Sequence, residues 1–202
     1  SSDVCSSDLF SRWYGWRMNQ GSSRAKILPF IKNYGLRPEE FLQDPESFAS
    51  FNEFFHRRLQ PQARPICPNP DSVVFPADGR HLVLPDLSKV RTIYAKGQSF
   101  DLPRFLGDQS LAETFSCGSA VISRLCPVDY HRFHFPVSGM VGPTKLIEGK
   151  LLSVSPIALR RKISIFWENK RYLHLLQNER LGQVVQLLIG ATCVGSVSFT
   201  SG

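Results

Sequence analysis

The apolar residues between Pro38 and Pro65 follow the pattern of a helix. Large side chains recur every three or four positions, so that they lie on roughly one face. The members of this stripe are Phe48, Phe51, Phe54, Phe55 and Leu59. Asp44 followed by Pro45 resembles a helix start, with the carboxylate as cap and proline at the first position. The spacing predicts a helical stretch whose stripe packs into a core, closed by the prolines that follow.

From residue 70 onwards the pattern changes to short alternating or apolar runs separated by turn residues, which is typical of β-strands. These runs are Ser72–Phe75, His81–Leu84, Thr92–Ala95, Ala120–Leu125, Lys145–Ile147, Ile163–Trp167, Tyr172–Leu176 and Gln183–Ile189. Polar turns at 168–170 and 178–179 would connect the last three runs as an antiparallel meander. We therefore predict an α+β fold class. A small helical N-terminal region, residues 10–66, precedes a β-rich body of mostly antiparallel short strands, residues 67–202.

Residues 1–9 share neither pattern. Their sequence, SSDVCSSDL, repeats Ser-Ser-Asp without apolar periodicity. It has neither the charged start nor the apolar centre of a signal peptide, and it resembles translated sequencing-adapter read-through. We expect a non-native or adapter-derived tail and exclude it from the fold. Elsewhere, no apolar run reaches the roughly eighteen residues that a membrane-spanning helix requires.

Charge changes the interpretation of the N-terminal region. The chain carries 24 Lys+Arg against 17 Asp+Glu, a formal net charge of +7. Between Phe10 and Pro38 six residues are basic and none is acidic, and Trp, Tyr and Phe are interleaved with them. Such a mixture suits the surface of an anionic bilayer. Two alternatives stay open: a helical arm packed on its own domain, and a nucleic-acid site with bases stacked on the aromatic rings.

The stretch from Cys126 to Gly139 holds the side chains best suited to proton transfer near neutral pH. His131 and His134 lie three residues apart, and the prolines on either side argue against a helix. On a strand, an odd separation sends two rings to opposite faces, so we expect two environments and two roles. One exposed and one core histidine is the plainer alternative. A zinc site with Cys126 as a third ligand is another.

A second candidate is Asp78, in the segment Pro76-Ala77-Asp78-Gly79 that follows the apolar run ending at Phe75. A carboxylate at the end of a strand is well placed to orient a histidine. The alternative is an ordinary turn, because Asp-Gly is among the commonest turn dipeptides.

Taken together, these motifs resemble the phosphatidylserine decarboxylase family. The most distinctive is Tyr-His-Arg-Phe-His-Phe-Pro at Tyr130–Pro136. The other matching segments are Phe51–Phe55, Arg57–Leu59, Ala63–Ile66, Pro76–Gly79, Lys96–Phe100, Leu106–Asp108, Ser153–Ala158, Glu168–Arg171 and Gly190–Ser196. They follow the family's order over about residues 12–200, and this many in order make a chance match implausible.

The resemblance implies a proenzyme that cuts itself at the serine of a Gly-Ser step and leaves an N-terminal pyruvoyl group on a small C-terminal subunit. That group would accept the amine of phosphatidylserine and act as an electron sink while CO2 leaves, giving phosphatidylethanolamine. By the same resemblance, Asp78 and His134 belong to the self-cleavage arrangement. His131 belongs to the decarboxylation half, where it positions the substrate or handles its proton.

The resemblance also implies partners and a location. The partners are phosphatidylserine, an anionic membrane surface and the pyruvoyl subunit of the same precursor, with no nucleic acid. The location is peripheral, at the cytoplasmic face of a bacterial cell membrane.

The chain departs from the family in one respect, because its 202 residues contain no Leu-Gly-Ser-Thr step. Gly195-Ser196 aligns with a different family segment, and Gly118-Ser119 precedes the histidine stretch, so neither is the expected cleavage site. We expect the pyruvoyl-forming serine to lie beyond Gly202, in a chain that is cut short before it and catalytically silent by itself. Two rival functions remain: a metal-dependent hydrolase using Cys126, His131 and His134, and a non-catalytic module that binds anionic lipid.

Overall fold

The structure is a computed structural model that describes residues 11, 13–89, 100–192, 194 and 197. Contacts divide them into two compact units: residues 13–81 with 123–138, and the described parts of 82–122 with 139–202. Several sequence predictions fall outside the described residues, namely the tail 1–9, the strand Thr92–Ala95, the Gly195-Ser196 step and the chain end at Gly202. The position of the processing serine beyond Gly202 therefore stays a prediction. Within the described residues, no helix is long and apolar enough to cross a membrane.

The first unit begins with short helices, which the basic and aromatic region of the sequence forms. Helix α1 covers residues 13–18, a 3-10 helix covers Gly21–Lys26, and α2 covers Ile27–Tyr34. Ile27 and Ile31 are buried one turn apart, so α2 packs through a single apolar stripe. The helix ends at Gly35, whose φ of 61° lies in the left-handed region that glycine adopts without a steric penalty.

The predicted helical stretch between residues 38 and 65 is only partly helical. It consists of α3 at Phe51–Phe55 and the 3-10 turns Pro38–Glu40, Pro45–Ser47 and Pro61–Ala63. Each 3-10 turn begins with a proline, which lacks an N–H and restricts the preceding residue, so the prolines divide the segment. The Asp44 cap is confirmed, because its side chain accepts a hydrogen bond from the Glu46 amide at 2.7 Å.

The phenylalanine stripe forms the core of this unit, as the spacing predicts. Phe48 and Phe54 are 1% and 0% exposed, and they cluster with Ile27, Ile31 and Phe41. The ring of Phe54 meets the rings of Phe48 and Phe41 edge-on, at centroid distances of 5.6 and 5.9 Å. These are favourable aromatic geometries, so a five-residue helix is fixed mainly by its side-chain packing.

The second unit is built around an antiparallel hairpin of β5 (Arg171–Asn178) and β6 (Gly182–Ile189). Strand β5 also pairs with β3 (Met140–Val141) and β4 (Lys145–Ile147). Helices α4 (Leu102–Leu106) and α5 (Gln109–Thr114) share a core with this sheet. Its buried members are Leu106, Ala112 and Leu173. A separate two-stranded sheet joins β1 (Arg80–Leu84) to β2 (Ala120–Arg124).

The α+β fold class is confirmed, but two predicted strands are wrong. Ser72–Phe75 is irregular, and Ile163–Trp167 falls largely in α7 (Ile165–Glu168), which follows α6 (Pro156–Arg161). The second error has a local cause. The Glu168 carboxylate accepts hydrogen bonds from Ser164 Oγ and Lys162 Nζ, at 2.6 and 2.9 Å, and these bonds hold residues 162–168 in a compact turn.

Candidate active site

The histidine-bearing segment is irregular backbone fixed against the residues that precede Asp78. The amide of His134 donates to the carbonyl of Pro76, and the amide of Val74 donates to the carbonyl of Pro136, both at 2.9 Å. These two backbone bonds align residues 134–136 with residues 74–76. The structure therefore places His134 next to the segment that leads into Asp78.

His134 lines a cavity of about 190 Å3 together with Cys67, Ser72 and Ser138. Burial lowers the pKa of His134 below its usual 6.5, although a hydrogen bond to the backbone of Phe75 opposes this shift. A lowered pKa keeps the imidazole neutral at pH 7, and a neutral imidazole can accept a proton.

His131 lies in different surroundings. Its Nδ1 lies 2.8 Å from the carbonyl oxygen of Asp129, and because a carbonyl only accepts, Nδ1 carries the proton and Nε2 keeps its lone pair. The ring packs on Phe55 with a centroid distance of 4.0 Å. Burial is the main cause that lowers the pKa of His131, and the positive charges of Arg57 and His56 lower it further. The geometry makes Nε2 a proton acceptor.

The rings of His131 and His134 have different surroundings, but not for the reason that the sequence analysis gave. The spacing argument assumed a pleated strand, whereas residues 125–135 contain no strand in the structure. A turn at residues 127 and 128 and the bonds between residues 134–136 and 74–76 give each ring its own neighbours instead. The roles assigned to His131 and His134 stay predictions.

Asp78 occupies a turn before β1, which begins at Arg80, rather than the end of a strand. Gly79 fixes this turn: its φ is 128°, and a Cβ there would stand 2.5 Å from the carbonyl oxygen of Arg124. Both carboxylate oxygens of Asp78 accept from Arg64 Nε, at 2.9 and 2.8 Å. In this conformation the carboxylate pairs with Arg64, and the pairing of Asp78 with His134 stays a prediction.

Two arginines of this region were not singled out from the sequence. Arg64 bridges Asp78 and Glu40, and Arg57 is buried at 4% exposure. A signal for Arg57 was present, because it follows Phe54 by three positions and so continues the apolar stripe. A basic residue on the buried face of a predicted helix is unusual, although in the structure Arg57 lies just after α3 ends.

The zinc alternative is not supported by the geometry. Among the described residues, no group of three or more His, Cys, Asp and Glu side chains could hold a metal ion. Cys126, His131 and His134 therefore do not form the proposed ligand set, since the irregular segment gives the two rings different neighbours.

Comparison with known proteins decides the family. The family model described as phosphatidylserine decarboxylase matches residues 51–202, a span that contains Asp78, His131 and His134. This chain belongs to the phosphatidylserine decarboxylase family. The resemblance read from the motifs is confirmed.

The similarity extends over almost the whole chain. The phosphatidylserine decarboxylase proenzyme of Chlamydia muridarum is 44% identical over 197 residues, which cover 98% of this chain and 65% of the relative. The protein of the same name from Chlamydia trachomatis serovar L2 is 41% identical with the same coverage. The one from Chlamydia caviae is 44% identical over 189 residues, 94% of this chain and 63% of the relative. The chain thus spans about 65% of the length of the phosphatidylserine decarboxylase relatives it matches.

Proposed function

We propose that this chain supplies the proton-transfer residues of a pyruvoyl-dependent decarboxylase that converts phosphatidylserine to phosphatidylethanolamine. The observation that carries the proposal is the pair of histidines with lowered pKa values in separate surroundings. His131 has Nε2 as an acceptor, whereas His134 lines a cavity and is bonded through its backbone to the segment before Asp78. Two neutral imidazoles in one short segment provide bases for two different proton transfers. The family membership supports the chemistry.

His134 acts in self-cleavage in this proposal. His134 lines a cavity of about 190 Å3, a volume that can hold a stretch of backbone bearing a small hydroxyl side chain. His134 accepts the hydroxyl proton, and Asp78 holds the ring once its carboxylate turns from Arg64 toward it. The residues present therefore fit a processing serine and the pyruvoyl group derived from it.

His131 acts in decarboxylation. When bound, the pyruvoyl group supplies the electron-withdrawing carbonyl that takes up the electrons left by CO2. His131 first accepts at Nε2 the proton that the substrate ammonium group loses, and it then returns that proton to the carbon that has lost its carboxylate. Its Nδ1–H bond to the Asp129 carbonyl fixes the ring so that Nε2 is the atom that gives and takes this proton.

The N-terminal helices contact the membrane in this proposal. Trp16, Leu28 and Tyr34 are 62%, 52% and 58% exposed. The guanidinium of Arg17 lies 5.5 Å from the ring centroid of Trp13. Exposed aromatic and basic side chains together suit the headgroup region of an anionic bilayer, which is the surface that a phosphatidylserine decarboxylase must reach. The location proposed is peripheral, at the cytoplasmic face of a bacterial membrane.

The test compares the chain alone with the chain joined after Gly202 to a family segment that carries the Leu-Gly-Ser-Thr step (the joined chain). The 202 residues contain no such step, so we expect CO2 release from phosphatidylserine only from the joined chain, and inhibition of that release by carbonyl reagents. The His134→Gln joined chain should remain uncut. Turnover by the chain alone, or normal cleavage of the His134→Gln joined chain, contradicts the proposal.

A further inference from the structure

Arg57 is a buried cation whose hydrogen-bonding capacity is largely unused. Its side chain is 4% exposed, and the guanidinium carbon lies 4.9 Å from the ring centroids of both Phe41 and Phe54. Nη2 reaches the carbonyl oxygen of Val128 at 3.5 Å, the outer limit of a hydrogen bond. Nε and Nη1 are buried and have no hydrogen-bond partner among the described residues.

The charge of Arg57 is also uncompensated. Charged groups buried in proteins are normally paired, because the loss of hydration is otherwise unfavourable. Burial lowers the pKa of Arg57, and the charges of the Asp78 and Glu40 carboxylates oppose this shift. Glu40 pairs with Arg37 and Arg64, and Asp78 pairs with Arg64. Both carboxylates are therefore engaged elsewhere, and Arg57 keeps its positive charge without a counterion among the described residues.

A cavity of about 120 Å3 adjoins Arg57 and gives the missing partner a place to bind. Its charged lining groups are Arg37, Glu40, Arg57 and Arg64. Tyr130 also lines it and directly precedes His131 in the sequence. The cavity is therefore cationic, and one of its lining residues directly precedes the residue proposed to act in decarboxylation.

We propose that Arg57 anchors a binding site for a phosphate oxyanion in this cavity and that the site takes the phosphodiester of the substrate headgroup. A guanidinium carries its N–H donors in a planar fork that matches two phosphate oxygens, and Nε and Nη1 of Arg57 have no partner among the described residues. A phosphodiester held there lies beside Tyr130, the residue that directly precedes His131 in the sequence. The assignment to the substrate rests on the proposed function, whereas the oxyanion site rests on Arg57 itself.

Binding to the 202-residue chain tests the site without any requirement for activity. The probes are glycerophosphoserine and inorganic phosphate, titrated calorimetrically against chloride at equal ionic strength. Arg57→Gln should weaken glycerophosphoserine binding about tenfold or more, and Arg57→Lys should weaken it less, because it keeps the charge but loses the fork. Arg58→Gln is the matched control, since Arg58 is the exposed neighbour with the same charge, and it should bind like the unaltered chain.

A second measurement covers the case in which Arg57→Gln fails to fold, since Arg57 packs on two core rings. In the unaltered chain, the Arg57 Nε–H resonance should shift saturably with glycerophosphoserine. An unmoved resonance, or equal weakening by Arg57→Gln and Arg58→Gln, overturns the site. Saturable binding of inorganic phosphate without glycerophosphoserine overturns the headgroup assignment. A failure of the joined chain to release CO2 would contradict the proposed function and leave these binding results standing.

Discussion

The carboxylate of Asp78 and the guanidinium of Arg64 form a close ion pair, in which Nε donates to both carboxylate oxygens at 2.9 and 2.8 Å. Arg64 also binds Glu40 at 3.1 Å, so one arginine joins two carboxylates. The backbone bond between His134 and Pro76 brings the histidine beside the same turn. Self-cleavage through Asp78 and His134 then requires the carboxylate to exchange Arg64 for the imidazole.

This relationship predicts opposite effects for the two partners of the ion pair. In the joined chain, Asp78→Asn should slow self-cleavage by at least about a hundredfold, because the ring of His134 loses its orienting carboxylate. Arg64→Gln should leave cleavage at the unaltered rate or faster, since it frees the carboxylate. The measurement is the appearance of the two subunits on gels over time. Glu40→Gln is the control, as it removes the other Arg64 partner. Normal cleavage in Asp78→Asn contradicts the assignment.

The turn at Gly79 should tolerate no other residue. Its φ of 128° is unfavourable for residues with a Cβ, and a Cβ would clash with the Arg124 carbonyl oxygen at 2.5 Å. Gly79→Ala should therefore lower the free energy of unfolding by about 2 kcal/mol or more, measured by urea denaturation. Gly15→Ala is the control, because a Cβ added at Gly15 would have nothing within 4 Å. A loss below about 0.5 kcal/mol at Gly79 would show that the turn can adjust.

Features set by local patterns in the sequence could be predicted, and features set by contacts between distant residues could not. The spacing of Phe48 and Phe54 predicts their burial, and the alternation in residues 172–176 and 183–189 predicts the β5–β6 hairpin, since both are local patterns. The helix α7 was missed because the hydrogen bonds of the Glu168 carboxylate with Ser164, Lys162 and Lys150 stabilise it, and side-chain bonds of this kind leave no mark in the alternation of apolar and polar residues. The lack of a counterion at Arg57 could likewise not be predicted, because it depends on which arginines form ion pairs with Glu40 and Asp78.

His131 should titrate below the ordinary histidine pKa of 6.5. Burial and the charges of Arg57 and His56 disfavour its protonated form, so between its lowered pKa and 6.5 the unfolded chain binds more protons at this site than the folded chain. The stability that His131 contributes is therefore present above about pH 6.5 and decreases as the pH falls through that range. Two-dimensional NMR of the ring nitrogens should show the Nδ1–H tautomer, with the urea-unfolded chain as reference. A folded pKa above 6.5 or an Nε2–H tautomer contradicts the assigned geometry.

Glu168 should stabilise the second unit through its lysine partners. Desolvation raises its pKa, but hydrogen bonds from Lys162, Ser164 and Lys150 outweigh this and lower the pKa of Glu168 to about 2. Because the folded pKa is below the unfolded value of 4.5, the stabilisation is present above about pH 4.5 and is lost as the pH falls toward 2. Glu168→Gln should lower the free energy of unfolding by about 1–2 kcal/mol at pH 7, after allowance for partial exposure.

Urea denaturation at several pH values checks this prediction. The difference between Glu168→Gln and the unaltered chain should shrink between pH 4.5 and the lowest accessible pH. Glu39→Gln is the control, because Glu39 is exposed and has no ion pair among the described residues. A pH-independent difference would mean that Glu168 acts through packing rather than charge.

Membrane contact through the N-terminal helices predicts a specific loss of vesicle binding. Trp16 is 62% exposed and lies beside the basic residue Arg17, so it can insert at the headgroup level while the arginine meets anionic lipid. Trp16→Ser should weaken binding to vesicles containing phosphatidylserine about tenfold, because it removes the free energy gained when part of one indole ring is buried in the bilayer. Arg17→Gln should weaken binding mainly at low salt, because exposed charges are screened at high ionic strength. Leu181→Ser is the control, since Leu181 is 52% exposed and lies in the β5–β6 turn. Flotation that falls equally in Trp16→Ser and Leu181→Ser would place the membrane contact elsewhere on the chain.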